Sequence, residues 1–249
     1  MGSRLGQHFL TSERYQRRIA SLVSSDQVIE IGPGKGALTR HLVTEKRGIV
    51  GIEKDSRFIP YLKETFPSLR VVEGDVREVL SEVVSSFSSP YEIVGNIPYY
   101  LSGFLFRMIG ELEVKPERCV FLIQKEVAEK LTDTSHMNML RAFVLLWGDP
   151  VYEFGVSARY FSPPPRVDSA VVSITKTEKG YSGNESVYTQ LVKTLFAHPR
   201  KTLRKNIMLG TYNNKEIETI EASGVDMNLR PGDLTFDILC RIALLLENK

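Results

Sequence analysis

The sequence has very few cysteines and no long apolar run. Cys119 and Cys240 are the only cysteines in 249 residues, which argues against both a disulfide framework and a zinc site. No stretch approaches the roughly 20 consecutive apolar residues that a membrane-spanning helix needs. Residues 1–8 also lack the apolar core of a secretion signal. These absences predict a cytoplasmic protein that binds neither a metal ion nor a membrane.

The sequence also lacks a strong excess of charge of either sign. Lysine and arginine together number 32, aspartate and glutamate 30, and the formal net charge is +2. This balance does not by itself indicate a nucleic-acid partner, so local clusters of charge have to carry that argument. With 42% hydrophobic and 25% charged residues, the composition is that of an ordinary globular protein.

A glycine-rich turn follows the first predicted strand. Residues 28–31 are predicted to form that strand, and Gly32, Gly34 and Gly36 lead from it into a predicted helix over residues 37–45. Strand, glycine turn and helix form the front of a nucleotide-binding unit. Dinucleotide-binding proteins use G-x-G-x-x-G, whereas E-x-G-x-G-x-G suits a ligand without a pyrophosphate, such as S-adenosylmethionine. A tight turn that binds nothing is the alternative.

Acidic residues stand at the ends of the next two predicted strands. Residues 48–53 end in Glu53, which lies roughly 20 residues beyond the first glycine, where a carboxylate commonly holds ribose hydroxyl groups. Residues 69–73 are followed by Asp75, whose carboxylate can accept the amino hydrogens of a cofactor adenine. The alternatives are a surface acid at position 53 and a helix N-cap at position 75.

A polar and aromatic segment, Asn96-Ile97-Pro98-Tyr99, follows the fourth predicted strand. Ligands of open α/β sheets bind at the carboxyl ends of the strands. The amide oxygen of Asn96 and the carbonyl of Ile97 or Pro98 can accept the hydrogens of an exocyclic amine, and Tyr99 can stack on the base that carries it. A proline turn without a ligand is the alternative. Phe161, which shortly precedes three prolines, is either a second wall for that base or part of the core.

Strands and helices alternate as far as residue 175, and the rest of the chain is predicted to be helical. This order predicts an α/β catalytic domain over residues 1–175 and a C-terminal α-helical domain over residues 176–249, beginning with a polar linker. Residues 81–90 are serine-rich and are predicted to form a loop between two of the strands.

Two groups of cations are candidates for RNA contact. A helix over residues 200–206 would carry four cations on one face with no compensating acid, which predicts contact with RNA phosphates. These four are Arg200, Lys201, Arg204 and Lys205. Three further arginines lie on the first predicted helix, at Arg14, Arg17 and Arg18. For both groups a solvated helix face is the alternative.

Eight segments in this order resemble the small-subunit (16S) ribosomal RNA adenine-N6 dimethyltransferases of the KsgA type. The segments are GQHFL (6–10), EIGPGKGALT (30–39), GIEKD (51–55), EGD (73–75), NIPY (96–99), QKEVA (124–128), FSPPPRVDSA (161–170) and RKTLR (200–204). The resemblance implies a Rossmann-like, S-adenosylmethionine-dependent methyltransferase domain with a mostly parallel seven-stranded sheet, followed by a small helical domain that contacts rRNA.

The resemblance also implies a substrate and a set of contacts. The expected reaction methylates N6 of two adjacent adenines in the loop of the 3′-terminal hairpin of small-subunit rRNA, during small-subunit biogenesis. The expected partner is that rRNA or a 30S-type precursor, and we expect a monomer. Tyr99 is expected to stack on the target adenine with Phe161 opposite. The implied cofactor contacts are His8, Leu10, Gly32, Gly34, Glu53, Asp75 and Asn96.

Residues 136–141 depart from the family pattern, and Tyr100-Leu101-Ser102 replace its usual Asn-Ile-Ser. Three other functions stay open. The catalytic half also fits a large-subunit (23S) rRNA methyltransferase of the Erm type or a DNA adenine methyltransferase. A ribosome-assembly factor without catalysis could keep the same fold, although the intact set of candidate site residues argues against it. A dehydrogenase is disfavoured by the glycine spacing.

Overall fold

The computed structural model describes residues 7–43, 48–87, 90–177 and 181–247. It divides into two compact units. The first contains the described residues up to Glu129 together with Asp149–Lys176, and the second contains Lys130–Gly148 and the described residues from Thr177 onward. The expected helix end at Glu45, the N-terminal residues 1–6 and part of the expected linker, residues 178–180, lie outside the described residues.

A seven-stranded sheet forms the centre of the first unit, in the order β4-β3-β2-β5-β6-β9-β7. The strands β2 to β6 pair in parallel, and β9 runs antiparallel to β6. This arrangement confirms the predicted α/β class and its mostly parallel sheet. The strands are β2 (Gln27–Ile31), β3 (Gly48–Glu53), β4 (Leu69–Glu73), β5 (Glu92–Asn96), β6 (Arg118–Gln124), β7 (Gly148–Val156) and β9 (Ser169–Lys176).

Helices connect these strands. They are α1 (Glu13–Ala20), α2 (Thr39–Leu42), α3 (Ile59–Thr65), α4 (Val76–Ser85), α5 (Ser102–Gly110) and α6 (Lys125–Thr132). The inner strands are almost continuously apolar and buried, as in β5 and β6, because helices cover both faces of a parallel sheet. The predicted loop over residues 81–90 is wrong in its first half. Leu80, Val83 and Val84 bury one face of α4, and the helix continues to Ser85.

The order of the strands determines where a ligand site lies. The chain places β3 on one side of β2 and β5 on the other, so the connections leave the sheet in opposite directions at the carboxyl ends of β2 and β5. Such a switch point opens a crevice in doubly wound sheets. Gly32 follows β2 and Asn96 ends β5, so both candidate residues lie at this crevice.

A small second sheet brings two distant segments to the same place. Strand β1 (Phe9–Leu10) pairs antiparallel with β8 (Phe161–Ser162), with Leu10 opposite Phe161. Both the N–H and the side-chain hydroxyl of Thr11 donate to the carbonyl of Tyr160, at 2.8 and 2.9 Å. The N-terminal segment is thereby fixed beside the segment that contains the three prolines.

The second unit is helical and has its own core. Its helices are α7 (Met139–Val144), α8 (Glu185–Ala197), α9 (Leu203–Leu209), α10 (Asn214–Ala222) and α11 (Phe236–Glu247). Ala142 of α7 packs with Tyr188 and Leu191 of α8, and the Tyr188 hydroxyl donates to the Ala142 carbonyl at 3.1 Å. This packing places Lys130–Gly148 in the second unit and corrects the division at residue 175, which had left that segment in the first domain. Within the described residues, no helix combines the length and apolar character needed to cross a membrane.

Candidate functional site

A pocket lies at the carboxyl ends of β2, β3 and β5, with about 940 Å³ of space including the part open to solvent. The structure brings nearly all of the predicted catalytic and cofactor residues of the first unit to its lining. Those that line it are His8, Gly32, Gly34, Glu53, Asp75, Asn96, Pro98, Tyr99 and Phe161. Leu10 is the exception, because its side chain is 3% exposed and belongs to the core. The predicted contact by Leu10 therefore has no support from its side chain.

The glycine turn requires glycine at position 32 for its backbone conformation, and it leaves open space beside that residue. Gly32 has a φ of +67°, in the left-handed region that other residues adopt at a cost. A Cβ at this position would meet nothing within 4 Å, whereas a Cβ at Gly34 would lie 3.1 Å from the ring of Phe9. Since Gly32 lines the pocket, the bare backbone there can approach a ligand closely.

Glu53 ends β3 as a buried carboxylate that the backbone holds in place. Its Oε2 accepts the N–H of Gly34 at 2.8 Å and its Oε1 accepts the N–H of Asp55 at 2.8 Å. Burial raises the pKa of Glu53 above its ordinary value, while these hydrogen bonds act in the opposite direction. Each carboxylate oxygen has a second lone pair, so Glu53 suits a ligand diol and is not a surface acid.

Asp75 is the N-cap of α4, which confirms the helix-cap alternative given for this residue. Two cations, Lys54 and Arg77, also bind its carboxylate. Its Oδ1 accepts the backbone N–H and the Nε of Arg77, both at 3.0 Å. Its Oδ2 accepts the Nη2 of Arg77 at 2.6 Å and the Nζ of Lys54 at 2.8 Å. The hydrogen bonds from Arg77 and Lys54 hold the pKa of Asp75 well below its usual range. A carboxylate has about four acceptor positions, and all four receive a donor from within the chain.

Asn96 presents its amide in one orientation. Its Nδ2 donates to the backbone carbonyl of His8 at 2.8 Å, so Oδ1 remains the acceptor, and no donor among the described residues bonds to it. The Pro98 carbonyl already accepts the N–H of Leu101 at 2.8 Å. Of the two carbonyls considered from the sequence, that of Ile97 is therefore the better second acceptor for an amine.

Tyr99 is half-buried with a fixed ring. Its hydroxyl shares a 2.8 Å hydrogen bond with Ser169, and its ring centroid lies 6.1 Å from that of His8, with the planes inclined by 30°. Burial raises the pKa of this phenol. His8 is fixed in turn, because its Nδ1 donates to the carbonyl of Pro163 at 2.8 Å. A hydrogen-bonded tyrosine ring at a pocket can serve as a stacking platform.

Phe161 exposes too little of its side chain to form a full wall opposite Tyr99. It is 4% exposed and packs in the core with Leu10, Phe154 and Val156. The structure therefore favours the core alternative, although a small part of the side chain reaches the pocket lining.

The four C-terminal cations do not share one helix face. Helix α9 begins at Leu203 after the N-cap Thr202, so Arg200 and Lys201 lie in the preceding turn. The buried side chain of Asn206 holds this turn by donating to the carbonyls of His198, Lys201 and Thr202.

Arg204 is not without a compensating acid, because it pairs with Glu221 at 2.5 Å. Within the described residues, Arg200, Lys201 and Lys205 make no ion pair. The sequence pattern therefore assigned Arg200 and Lys201 to the wrong element and missed the acid that pairs with Arg204, and the contact with RNA stays a prediction.

Several pocket residues were missed from the sequence. Lys54 and Arg77 follow the two acids closely, and their positions at strand ends could have indicated them. Tyr100 lines the pocket and is 66% exposed. Ser169 contacts Tyr99 across 70 positions of sequence, and no local pattern indicates such a contact.

Known proteins resemble this chain in sequence and in fold. The family model for ribosomal RNA adenine dimethylase matches residues 2–248. Ribosomal RNA small subunit methyltransferase A of Dehalococcoides mccartyi (strain CBDB1) is 34% identical over 246 residues, which cover 94% of this chain and 84% of the relative. The protein of the same name from Sulfurihydrogenibium sp. (strain YO3AOP1) is 34% identical over 257 residues, with coverages of 98% and 96%.

Two solved structures resemble the fold over nearly the whole chain. A dimethyladenosine transferase from Plasmodium falciparum has a TM-score of 0.81 and 23% identity, covering 96% of this chain and 98% of its own. The 23S rRNA methyltransferase ErmE has a TM-score of 0.73 and 23% identity, with coverages of 96% and 100%. At 23% identity, these two structures show a shared fold and nothing further about function.

Proposed function

Because this chain belongs to the ribosomal RNA adenine dimethylase family, we propose that it methylates N6 of two adjacent adenines in the loop of the 3′-terminal hairpin of small-subunit rRNA. The enzyme is an S-adenosylmethionine-dependent rRNA methyltransferase. The curated relatives named small subunit methyltransferase A support the small subunit as the source of the substrate. The observation that carries the proposal is the orientation of Asn96, whose amide oxygen is left to accept an amine hydrogen.

The pocket residues fit S-adenosylmethionine. The open side of Gly32 leaves room for a ligand against bare backbone, and Glu53 offers two buried acceptor oxygens to a ribose diol. Ile31, Ile52 and Val76 add apolar lining beside Asp75. When bound, this cofactor supplies a methyl group that its sulfonium has already activated.

The target nitrogen needs orientation more than it needs a base. The lone pair of adenine N6 is delocalised into the purine ring, which makes it a weak nucleophile. In the first transfer, acceptance of the two N6 hydrogens by Asn96 Oδ1 and the Ile97 carbonyl localises that lone pair and directs it toward the methyl group. Each new N–C bond replaces one N–H bond, whose hydrogen leaves as a proton, so one of the two acceptors binds the single hydrogen that remains for the second transfer. Correct placement of two reactants can lower a barrier by about 7–11 kcal/mol.

Tyr99 binds the extruded adenine. Removing a base from its stack costs a few kcal/mol, and stacking on an aromatic ring returns about 1–3 kcal/mol. The hydrogen bond between Tyr99 and Ser169 fixes the ring before the base arrives, so little side-chain entropy is lost on binding. Phe161 supplies only a limited part of the opposite side.

The second unit contributes to affinity for RNA. Arg200, Lys201 and Lys205 contact phosphates, and Arg204 does so less because Glu221 neutralises it. We further propose that the protein acts as a monomer in the cytoplasm, where small-subunit precursors assemble. Light scattering of the purified protein tests the monomer, and fractionation of cells tests the compartment.

The substitution Asn96→Ala tests the proposed mechanism. We expect methyl transfer to fall by more than about tenfold, because the localising acceptor is lost, whereas S-adenosylmethionine affinity measured by calorimetry changes much less. Asn228→Ala, at an exposed asparagine outside the pocket, serves as the control. Turnover of Asn96→Ala within tenfold of wild type would remove Asn96 from the mechanism.

Mass spectrometry of the RNA identifies the substrate. Immature small subunits, naked large-subunit rRNA and duplex DNA are each incubated with the enzyme and S-adenosylmethionine. We expect dimethyladenine in the 3′-terminal hairpin of the small-subunit rRNA. Methylation of large-subunit rRNA alone would instead establish the Erm-type activity, and binding to small subunits without any methylation would establish an assembly factor.

A further inference from the structure

An array of aromatic rings and arginines covers one side of the first unit. Tyr15 of α1 lies 6.0 Å from the ring of Phe154 and 5.1 Å from the ring of Tyr160. The guanidinium of Arg18 lies 3.7 Å from the centroid of Phe154, and that of Arg159 lies 4.8 Å from the centroid of Tyr160. We name this the arginine–aromatic surface and define it by these five residues together with Arg14.

The arginines of this surface keep their charge available. Arg14, Arg18 and Arg159 are exposed, and none of them forms an ion pair with a carboxylate of the described residues. One N–H of Arg159 donates to the hydroxyl of Tyr160 at 2.9 Å, and its other donors remain available. Arg17, on the same helix, differs because it pairs with Glu13 at 2.6 Å. A guanidinium that rests on an aromatic face retains N–H groups that can bind a phosphate in a bidentate manner.

The arginine–aromatic surface adjoins the pocket lining along the chain. Tyr160 is bonded through its carbonyl to Thr11 and precedes Phe161, which lines the pocket. His8 and Phe9, which precede the same N-terminal segment, also line it. A nucleotide strand that places one base in the pocket extends beyond it, and this surface offers exposed arginines at residues that neighbour the lining in sequence.

We propose that the arginine–aromatic surface binds the RNA backbone next to the target adenine. This inference rests on the proposed function and adds a second RNA contact, on the catalytic unit, to the cations of the second unit. Its charge and exposed N–H groups match phosphate. The arginines hold the strand that enters the pocket, and the aromatic rings fix the guanidinium groups in position.

The test removes two arginines and keeps the one that covers the core. The double variant Arg14→Gln/Arg159→Gln leaves Arg18 on Phe154, so the guanidinium that covers a core ring is kept, and only the exposed contact of Arg159 with Tyr160 is lost. The control Lys63→Gln/Arg70→Gln removes the same charge from α3 and from β4 at the opposite edge of the sheet. The probe is the isolated 3′-terminal hairpin of small-subunit rRNA, measured by filter binding at several KCl concentrations.

We expect the double variant to bind the hairpin about tenfold more weakly, and the slope of log affinity against log salt to fall by about 1.4–1.8 for two lost phosphate contacts. The control variant should change affinity by less than about twofold. S-adenosylmethionine affinity should equal that of wild type in both variants, which also verifies folding. An affinity and a salt slope equal to those of the control would overturn the proposal.

Two further outcomes separate this inference from the proposed function. A wild-type protein that binds the hairpin but does not methylate it would refute the proposed function, and the salt slopes would still decide the role of the surface. The double variant could bind the hairpin as wild type does and yet methylate intact subunits more slowly. That outcome would overturn the proposal, because the surface would then contact another ribosomal component.

Discussion

Glu30 is a buried acid beneath the glycine turn. It is 2% exposed, and its Oε2 accepts the hydroxyl hydrogen of Thr39 at 2.7 Å. Burial is the main cause that raises the pKa of Glu30 to about 7, against the opposing effect of its hydrogen bonds with Thr39. A carboxyl with this pKa carries a proton in the folded protein at pH values where the unfolded chain has released it.

The sign of the resulting pH dependence follows from linkage. Because the pKa is higher in the folded state, the stabilisation is complete below about pH 4.5 and is lost as the pH rises through about 7. We expect the melting temperature of Glu30→Gln relative to wild type to rise between pH 5 and pH 8, by about 2 °C or more. Glu82→Gln, at an exposed position of α4, is the control. A constant difference over this range would show that Glu30 does not titrate there.

The residues of the pocket differ in how far the sequence could predict them. Glu53 ends one predicted strand and Asp75 closely follows another, so the local pattern of strand ends sufficed to place both at the pocket. The orientation of Asn96 depends on the backbone carbonyl of His8, 88 positions away. Every residue has such a carbonyl, so no residue type at position 8 indicates this contact. The pairing of β1 with β8 and the hydrogen bond from His8 to Pro163 hold this segment in place.

At the scale of elements, long apolar strands were predictable and short helices were not. Residues 48–53 and 69–73 form strands with the predicted bounds. Burial of Ile49–Glu53 on both faces leaves little choice for the first, whereas β4 is an edge strand with only Leu69 buried, and its β-branched residues Val71 and Val72 were sufficient. Helix α9 has only seven residues, and its start is decided by Thr202, whose side chain accepts the N–H of Lys205. A helical pattern extended back to residue 200 ignores this cap and places Arg200 and Lys201 on a helix.

The placement of these cations predicts unequal contributions to RNA binding. The triple variant Arg200→Gln/Lys201→Gln/Lys205→Gln should lower the salt slope by about 2–3, since each lost phosphate contact contributes about 0.7–0.9. Arg204→Gln should lower it by much less, because Glu221 already neutralises this arginine. Filter binding of the hairpin between 50 and 300 mM KCl measures both. Equal slopes for the triple variant and wild type would assign these cations to a solvated surface.

At the scale of the molecule, each unit has its own hydrophobic core. The second core includes Leu195 and Ile242, both fully buried. Composition and the change from strands to helices predicted two domains. They could not predict that α7 belongs to the second one, because α7 lies between strands in the sequence and its assignment depends on contacts with α8.

The substitution Leu195→Ala tests the role of the second core. We expect the free energy of unfolding to fall by about 2–5 kcal/mol, from lost burial and a residual cavity, as measured by urea denaturation. S-adenosylmethionine affinity at 20 °C should stay within about twofold of wild type, because the pocket is built entirely from the first unit. Leu209→Ala, at a position that is 55% exposed, should cost less than about 1 kcal/mol. A cofactor affinity that falls with stability would contradict this independence.

Asp75 receives four donors from Lys54 and Arg77. We propose that Asp75 accepts the amino group of the cofactor adenine, which would have to exchange with one of these donors. The adenine amine and a cation of the chain then compete for the same carboxylate oxygen. The measured cofactor affinity reflects the free energy of the adenine contact minus that of the contact it replaces. Lys54 makes a single contact with Asp75 and Arg77 makes three, so the ion pair of Lys54 is the weaker obstacle. Because the Lys54 side chain is 48% exposed, this ion pair is sensitive to salt. We expect Lys54→Met to bind S-adenosylhomocysteine more tightly than wild type in calorimetry, with the gap closing as KCl rises. Weaker binding by Lys54→Met would instead show that Lys54 orients the carboxylate. In this proposal the chain supplies its own competitor for the adenine site, and Lys54 sets how much cofactor the enzyme needs.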